Sequence, residues 1–227
     1  MRPHSRVDRN DHIGGDKDSI VSLSLSQFVP LPTVAPGTWR YVRVPLVASV
    51  PLAFLNPVLA VFCLFVVAGI VWFHRDPTRS PPPSGVVAPA DGRVSIIRTE
   101  DERVRVAVFM NVTDVHINRA PMAGTVTAVE HTPGKHLPAF TKESERNERV
   151  RIDCGDYEVT LIAGAVARRI HPYVERGDEL EAGDRIGHIS FGSRADVLFP
   201  PRYDPGDVRV ETGQRVRAGE TVIAAAP

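Results

Sequence analysis

The chain has 227 residues, enough for one ordinary domain with additions. Lysine plus arginine and aspartate plus glutamate both number 27, so the net charge is zero and no overall charge points to nucleic acid. The two cysteines, Cys63 and Cys154, lie in unrelated contexts without Cys/His metal spacing, which argues against a disulfide framework and against a bound metal.

Residues 1–38 are polar and irregular, with Gly14-Gly15, Pro30, Pro32 and Pro36 among scattered charges. They read as a flexible N-terminal arm. No apolar core follows the first charges closely, so the arm does not resemble a signal peptide.

The segment 39–74 carries a long apolar run, VPLVASVPLAFLNPVLAVFCLFVVAGIVWF, from Val44 to Phe73 without a charge. A straight span needs about 20 apolar residues, and this run is longer. Pro51 and Asn56-Pro57 interrupt it. Arg40 and Arg43 precede it; His74, Arg75 and Arg79 follow. A re-entrant hairpin keeps both basic flanks on the cytoplasmic side, whereas a single span puts one outside. Both are membrane anchors. A buried helix of a soluble protein rarely runs this long without a charge.

The stretch 75-RDPTRSPPPSG-85 reads as a proline-rich linker. Beyond it the pattern is β. Val104, Val106, Val108, Met110 and Val112 alternate along one strand, and Tyr157, Val159, Leu161 and Ala163 along another. Turn pairs such as Asp91-Gly92, Gly183-Asp184 and Pro205-Gly206 separate short strands. A short helix near 141–147 is the one helical pattern. The fold class is therefore mostly β: a compact β domain over 86–227, preceded by a helical membrane anchor.

An internal repeat lies within that domain. Residues 174-VERGDELEAGDRIG-187 parallel 210-VETGQRVRAGETVI-223. Their glycines suit tight turns between short strands. The pattern resembles the hammerhead, barrel-sandwich-like turns of biotinyl- and lipoyl-type folds. No Met-Lys-Met tripeptide is present, so the repeat speaks for architecture and not for a swinging-arm carrier.

Four segments carry candidate chemistry: 72-WFHRDPTRSPP-82, 88-APADGRV-94, 109-FMNVTDVHINRAPMAG-124 and 191-FGSR-194, with 147-NERV-150 as an accessory. Singly each is an ordinary turn, strand or loop. In this order, behind an apolar anchor, they resemble the phosphatidylserine decarboxylases, specifically the short bacterial form. The resemblance runs from about Phe73 to Ala218.

The resemblance implies a pyruvoyl-dependent, self-processing lyase. The chain would break between Gly192 and Ser193, and Ser193 would become a covalent pyruvoyl group, the cofactor. Ser193 Oγ would attack the Gly192 carbonyl, and β-elimination would open the resulting ester. A serine hydroxyl needs a base for such an attack. The pyruvoyl carbonyl would form a Schiff base with the amine of phosphatidylserine and act as the electron sink for decarboxylation to phosphatidylethanolamine. The piece 193–227, 35 residues, would stay docked in the sheet, so the mature protein is a heterodimer of its own fragments. No metal is required.

The family's Asp–His–Ser arrangement maps onto Asp91, His116 and Ser193 as catalytic residues, with the carboxylate orienting the imidazole. Longer members carry Asp-x-His-x-x-His, but this chain reads 114-DVHINR-119, with Arg119 at the second histidine position. Whether His116 then serves both self-cleavage and decarboxylation is left open by the resemblance. His188, an odd separation from Ser193, ranks below it if one strand carries both. Arg119 suits an oxyanion of the substrate or, equally, a structural ion pair. His136 is a candidate for the lipid entrance, and Arg194 stands where longer members often have threonine.

A lipid substrate accounts for the anchor: the catalytic domain sits on the cytoplasmic side of the cell membrane, as a peripheral or monotopic protein. Other readings remain: a pyruvoyl decarboxylase of another serine-bearing lipid, such as an archaeal-type ether phospholipid, and a membrane-tethered hammerhead scaffold without activity. A Ser–His–Asp hydrolase is disfavoured, because Phe-Gly-Ser-Arg lacks the G-x-S-x-G elbow.

Overall fold

The computed structural model describes residues 33–134, 147–164, 169–189 and 193–227. Residues 1–32 of the arm, His136, residues 141–146 of the helix expected over 141–147 and Gly192 lie outside the described residues.

Two helices open the described chain, α1 (Trp39–Leu55) and α2 (Pro57–Phe73). Asn56 separates them for local reasons. A residue before proline is biased away from the helical region, and Asn56 is extended at φ −154, ψ 91, although α1 runs on through Pro45 and through Pro51, which, contrary to expectation, does not interrupt it. Its side chain then caps α2 by accepting from the Leu59 N–H at 3.2 Å, with Pro57 at the first helical position. The outer ends meet again: the Tyr41 and His74 rings stack at 5.7 Å, and Ala35 N–H donates to the His74 carbonyl at 2.8 Å. The pair is thus a helical hairpin, not one continuous rod. No single helix among the described residues is long and apolar enough to cross a membrane.

The proline-rich stretch is no loose linker, because its charges are paired across the β domain. Arg75 donates to the Thr113 carbonyl at 2.7 Å. Buried Asp76 receives Arg119 at 3.0 Å and Arg185. Arg79 grips Asp91 at 2.8 Å and Glu220 at 3.1 Å. The strap therefore fixes the hairpin's base against the strands.

The strands, in chain order, are β1 (Val86–Val87), β2 (Gly92–Glu100), β3 (Arg103–Met110), β4 (Ile117–Arg119), β5 (Gly124–Thr125), β6 (Ala128–Thr132) and β7 (Arg149–Asp153). They continue with β8 (Glu158–Ile162), β9 (Ile170–Pro172), β10 (Glu179–Leu180), β11 (Arg185–Ile189), β12 (Ser193–Leu198), β13 (Arg215–Val216) and β14 (Val222–Ala224). The main sheet runs β13-β2-β3-β12-β8-β7-β6, a smaller one β4-β11-β9, and the pairs β1-β14 and β5-β10 complete the domain. All pairings are antiparallel. Val104, Val106, Val108 and Met110 are buried in the core as their alternation predicts; Val112 is exposed, because β3 ends at Met110.

The repeat is a structural one, and each copy clasps a matching partner. Gly177, Gly183, Gly213 and Gly219 all take positive φ. Gly213 N–H donates to Val94 O and Gly219 N–H to Ala88 O; Gly177 N–H donates to Val126 O and Gly183 N–H to Ala120 O. The partners are 88-APADGRV-94 and 120-APMAGTV-126, themselves alike. The domain therefore contains two similar clasps. Asp91 occupies in one clasp the place that Ala123 holds in the other.

Candidate active site

β12 lies in the main sheet between β3 and β8, and Ser193 is its first residue, paired with Met110 of β3. Ser193 is 0% exposed, and its Oγ lies 3.8 Å from Met110 Sδ. Asn118 of β4, also fully buried, brings Nδ2 to 3.6 Å from the same sulfur. A thioether is a weak acceptor, so neither contact binds its donor strongly.

His116 precedes β4 and is buried against Phe73, ring centroids 4.5 Å apart. Its Nδ1 sits 3.0 Å from the Asp114 backbone carbonyl. A carbonyl only accepts, so Nδ1 carries the proton and Nε2 holds the lone pair. Nε2 is buried with no hydrogen-bond partner among the described residues. Burial pushes the imidazole down to about 4, against the opposing pull of the Asp114 carbonyl. The ring is neutral at physiological pH and presents a base-competent nitrogen.

His188 of β11 lies across the strand pair from Ile117 and lines the same narrow gap as His116, Phe73 and His74. Tyr173 holds its Nδ1 at 2.6 Å, and His171 stacks on it at 4.6 Å. Burial first, then the neighbouring His171 and His74, push His188 down to about 3. The parity argument against His188 fails on topology: β11 and β12 belong to different sheets, so no single strand carries both residues. His171 of β9 completes this ring stack.

Asp91 does not meet His116. Its carboxylate takes two bonds from Arg79 Nη2, at 3.0 and 2.8 Å, and one from the Ala218 N–H at 2.8 Å. The expected carboxylate–imidazole–hydroxyl chain is thus not assembled among the described residues; the Asp114 carbonyl orients the imidazole instead. Asp91 lines a polar cleft of about 480 Å³ with Arg75, Arg79, Asp114, Arg215 and Arg217. The Asp91-Gly92 turn is held by close packing: Gly92 has φ +147, and a Cβ there would lie 2.0 Å from the Phe109 carbonyl oxygen.

Arg119 is buried and donates to Asp76, to the Pro77 carbonyl at 2.9 Å and to the Gly183 carbonyl at 2.8 Å. This is the structural ion pair of the two alternatives, a clamp between the strap and the β10–β11 turn. Arg194 sits on the other face of β12 from Ser193 and forms a buried pair with Asp196 at 2.7 and 3.0 Å. Asn147 donates to the Ala163 carbonyl at 2.8 Å, and Glu148 holds His131 at 2.9 Å, so this stretch ties β7 to its neighbours. Among the described residues no cluster of metal-ligating side chains occurs. Sequence reasoning missed Asn118, Tyr173 and Arg79, whose placement depends on contacts far along the chain.

Comparison with known proteins points to one family. The family described as phosphatidylserine decarboxylase matches residues 67–224. A protein of Halobacterium salinarum, named as an archaetidylserine decarboxylase proenzyme, is 61% identical over 83% of this chain and 97% of its own. A phosphatidylserine decarboxylase proenzyme of Streptomyces coelicolor is 44% identical over 97% of this chain and 98% of its own. Another from Thermobifida fusca is 53% identical over 72% and 76%. The matched span takes in Asp91, His116, Asn118 and Ser193, and the chain belongs to the phosphatidylserine decarboxylase family.

Proposed function

We propose that this chain is the proenzyme of a decarboxylase that removes CO2 from the serine head group of phosphatidylserine, yielding phosphatidylethanolamine, after cutting itself at Gly192–Ser193. The observation that carries the reading is the full burial of Ser193 at the start of β12, inside the span that the family matches, with His116 Nε2 a buried imidazole nitrogen that lacks a partner among the described residues. The site suits a covalent group made from that serine: it is closed to solvent, and His116 Nε2 and Asn118 Oδ1 lack partners among the described residues.

His116 Nε2 takes the Ser193 hydroxyl proton as Oγ bonds to the Gly192 carbonyl carbon. The C–N bond breaks, the nitrogen takes a proton, and an ester replaces the amide. Loss of the Ser193 Cα proton then expels the Gly192 carboxylate from Cβ. The dehydroalanine left behind tautomerises and is hydrolysed by water to a pyruvoyl end and ammonia. The pyruvoyl carbonyl supplies the electron sink for decarboxylation. A histidine returns a proton to the carbon that loses CO2. Asp91, held by Arg79 and Ala218, maintains the turn under this site in place of orienting His116.

The fragment 193–227 remains as a subunit, since β12 lies between β3 and β8 in the main sheet. The helical hairpin anchors the protein at the cytoplasmic surface of the cell membrane. In support, its tip is apolar and exposed, with Phe54 at 88% and Leu55 at 81%, while Trp39 and Trp72 are exposed at its base. Arg75 lies 4.3 Å over the Trp72 ring, an aromatic and basic belt suited to the head-group level.

A second lipid is favoured by one observation, the 61% identity to a relative named for archaetidylserine. Both lipids offer the same serine head group, and the site chemistry is indifferent to the chains behind it. The test is product formation from each lipid in detergent micelles. We expect turnover of a serine phospholipid by the wild type and none by Ser193→Ala. Absence of turnover with both lipids overturns the reading; preference for the ether lipid reassigns the substrate.

A further inference from the structure

Among the described residues three buried side-chain atoms lack any hydrogen-bond partner: Arg79 Nε, His116 Nε2 and Asn118 Oδ1. Two of the three lie two residues apart. The family chemistry gives His116 Nε2 a task but assigns none to Asn118.

Asn118 is costly where it stands. It is 0% exposed, and among the described residues its carbonyl is unpartnered and its amide nitrogen reaches only the Met110 thioether. A buried amide left without strong partners destabilises a fold, and an apolar side chain of similar shape removes that penalty. What sits beside it is informative. Met110 Sδ, the atom that Asn118 Nδ2 approaches at 3.6 Å, is also the atom that Ser193 Oγ approaches at 3.8 Å. The weakly held amide and the weakly held hydroxyl are thus neighbours on one sulfur, shut away from water.

We propose that Asn118 is a positioning residue of self-processing, whose side-chain amide hydrogen-bonds Ser193 Oγ and aims it at the preceding carbonyl. This rests on the self-cleavage reading above. In the structure Oδ1 is unpartnered and Ser193 Oγ rests on Met110 Sδ, so the bond to Asn118 forms as the hydroxyl turns from the sulfur to react. As His116 Nε2 takes the hydroxyl proton and Oγ bonds to the Gly192 carbonyl carbon, the amide N–H of Asn118 donates to Oγ. No bond to Asn118 forms or breaks, and no co-reactant is needed. Stability is given up locally so that a polar partner is available when the serine reacts.

The experiment is a time course of precursor cleavage, read by intact mass, for freshly synthesised full-length wild type, Asn118→Leu and Ser193→Ala, with melting temperatures of the precursors. For Asn118→Leu we expect a precursor that melts no lower than Ser193→Ala and a cleavage rate reduced about 100-fold, the scale for loss of one positioned hydrogen-bonding group. A merely structural amide predicts the reverse: a lower melting temperature with cleavage unimpaired in the folded fraction. Cleavage of folded Asn118→Leu at the wild-type rate overturns the proposal. If leucine does not fold, Asn118→Ser against Asn118→Ala decides, since they differ by one hydroxyl: serine cleaves about 10-fold faster if a polar partner for Oγ matters, and equal rates overturn the proposal. A wild type that never cleaves refutes the self-cleavage reading itself, a result distinct from either.

Discussion

After self-cleavage, the account requires residues 193–227 to stay bound through their own packing, and Phe199 is where this is most exposed to test. Phe199 follows β12, is fully buried, and sets its ring edge-to-face on Tyr203 at 5.6 Å. Its backbone also ties the fragments together: Phe199 N–H donates to the Val104 carbonyl at 2.8 Å, and its carbonyl accepts from Arg103 at 2.7 Å. Phe199→Ala keeps those backbone bonds and removes the ring. A buried phenylalanine cut to alanine costs about 3–5 kcal/mol, through lost transfer energy and the cavity left behind. With a urea slope of about 1–3 kcal/mol per molar, the unfolding midpoint should fall by roughly 2 M. The assay is size-exclusion of the processed protein in detergent across a urea series, with both fragments followed by mass. Wild-type fragments should co-elute until they unfold together, and the variant should part at lower urea. Separation of wild-type fragments without urea, or an unmoved midpoint in Phe199→Ala, refutes the reasoning.

Four further outcomes follow from the geometry. Gly92→Ala drives a Cβ into the Phe109 carbonyl and should leave little folded precursor, seen as loss of soluble, detergent-extracted protein; normal yield contradicts the packing argument. Asp91→Asn, made in the Ser193→Ala precursor, removes the negative charge that both oxygens present to Arg79 Nη2 and should cost on the order of 3 kcal/mol in a urea melt; no change means that the turn does not depend on the pair. His116 is held at about 4 and His188 at about 3 by burial, while an unfolded histidine titrates near 6.5. Between those values the unfolded chain binds more protons, so the precursor should be fully stable above about pH 6.5 and lose stability as pH falls toward 4; equal urea midpoints at pH 8 and pH 5 contradict this. Vesicles should blue-shift the fluorescence of Trp39 and Trp72, and a spectrum unaltered by vesicles speaks against an inserted hairpin.

The sequence carried much of this, for identifiable reasons. Asn56-Pro57 marked the helix break because the residue before proline avoids the helical region, and the structure breaks there. Valine alternation located β3 because one of its faces is buried. The glycine repeat was visible because positive φ restricts residue choice at turns. The partner segments 88–94 and 120–126 were harder to see: only the cross-chain bonds reveal that they occupy equivalent places. The linker reading rested on prolines, whereas its fate was decided by Asp76 and Arg79, whose partners lie far along the chain. The same distance hid the site's wiring. Matching Asp91 and His116 to a family pattern said nothing of Arg79, which occupies the carboxylate, or of the Asp114 carbonyl, which orients the ring. Asn118 gave no signal, since an asparagine between two noted residues reads as filler until its burial is known.

The central claim is that the chain divides between Gly192 and Ser193, with Gly192 ending one fragment and Ser193 beginning the other. Intact-mass measurement of the purified, membrane-extracted protein beside Ser193→Ala tests it most directly. The account predicts two fragments divided between Gly192 and Ser193, the smaller one with a blocked N-terminus at the mass of a pyruvoyl group, and a single full-length chain in the variant. A single unbroken chain in folded wild-type protein would contradict it.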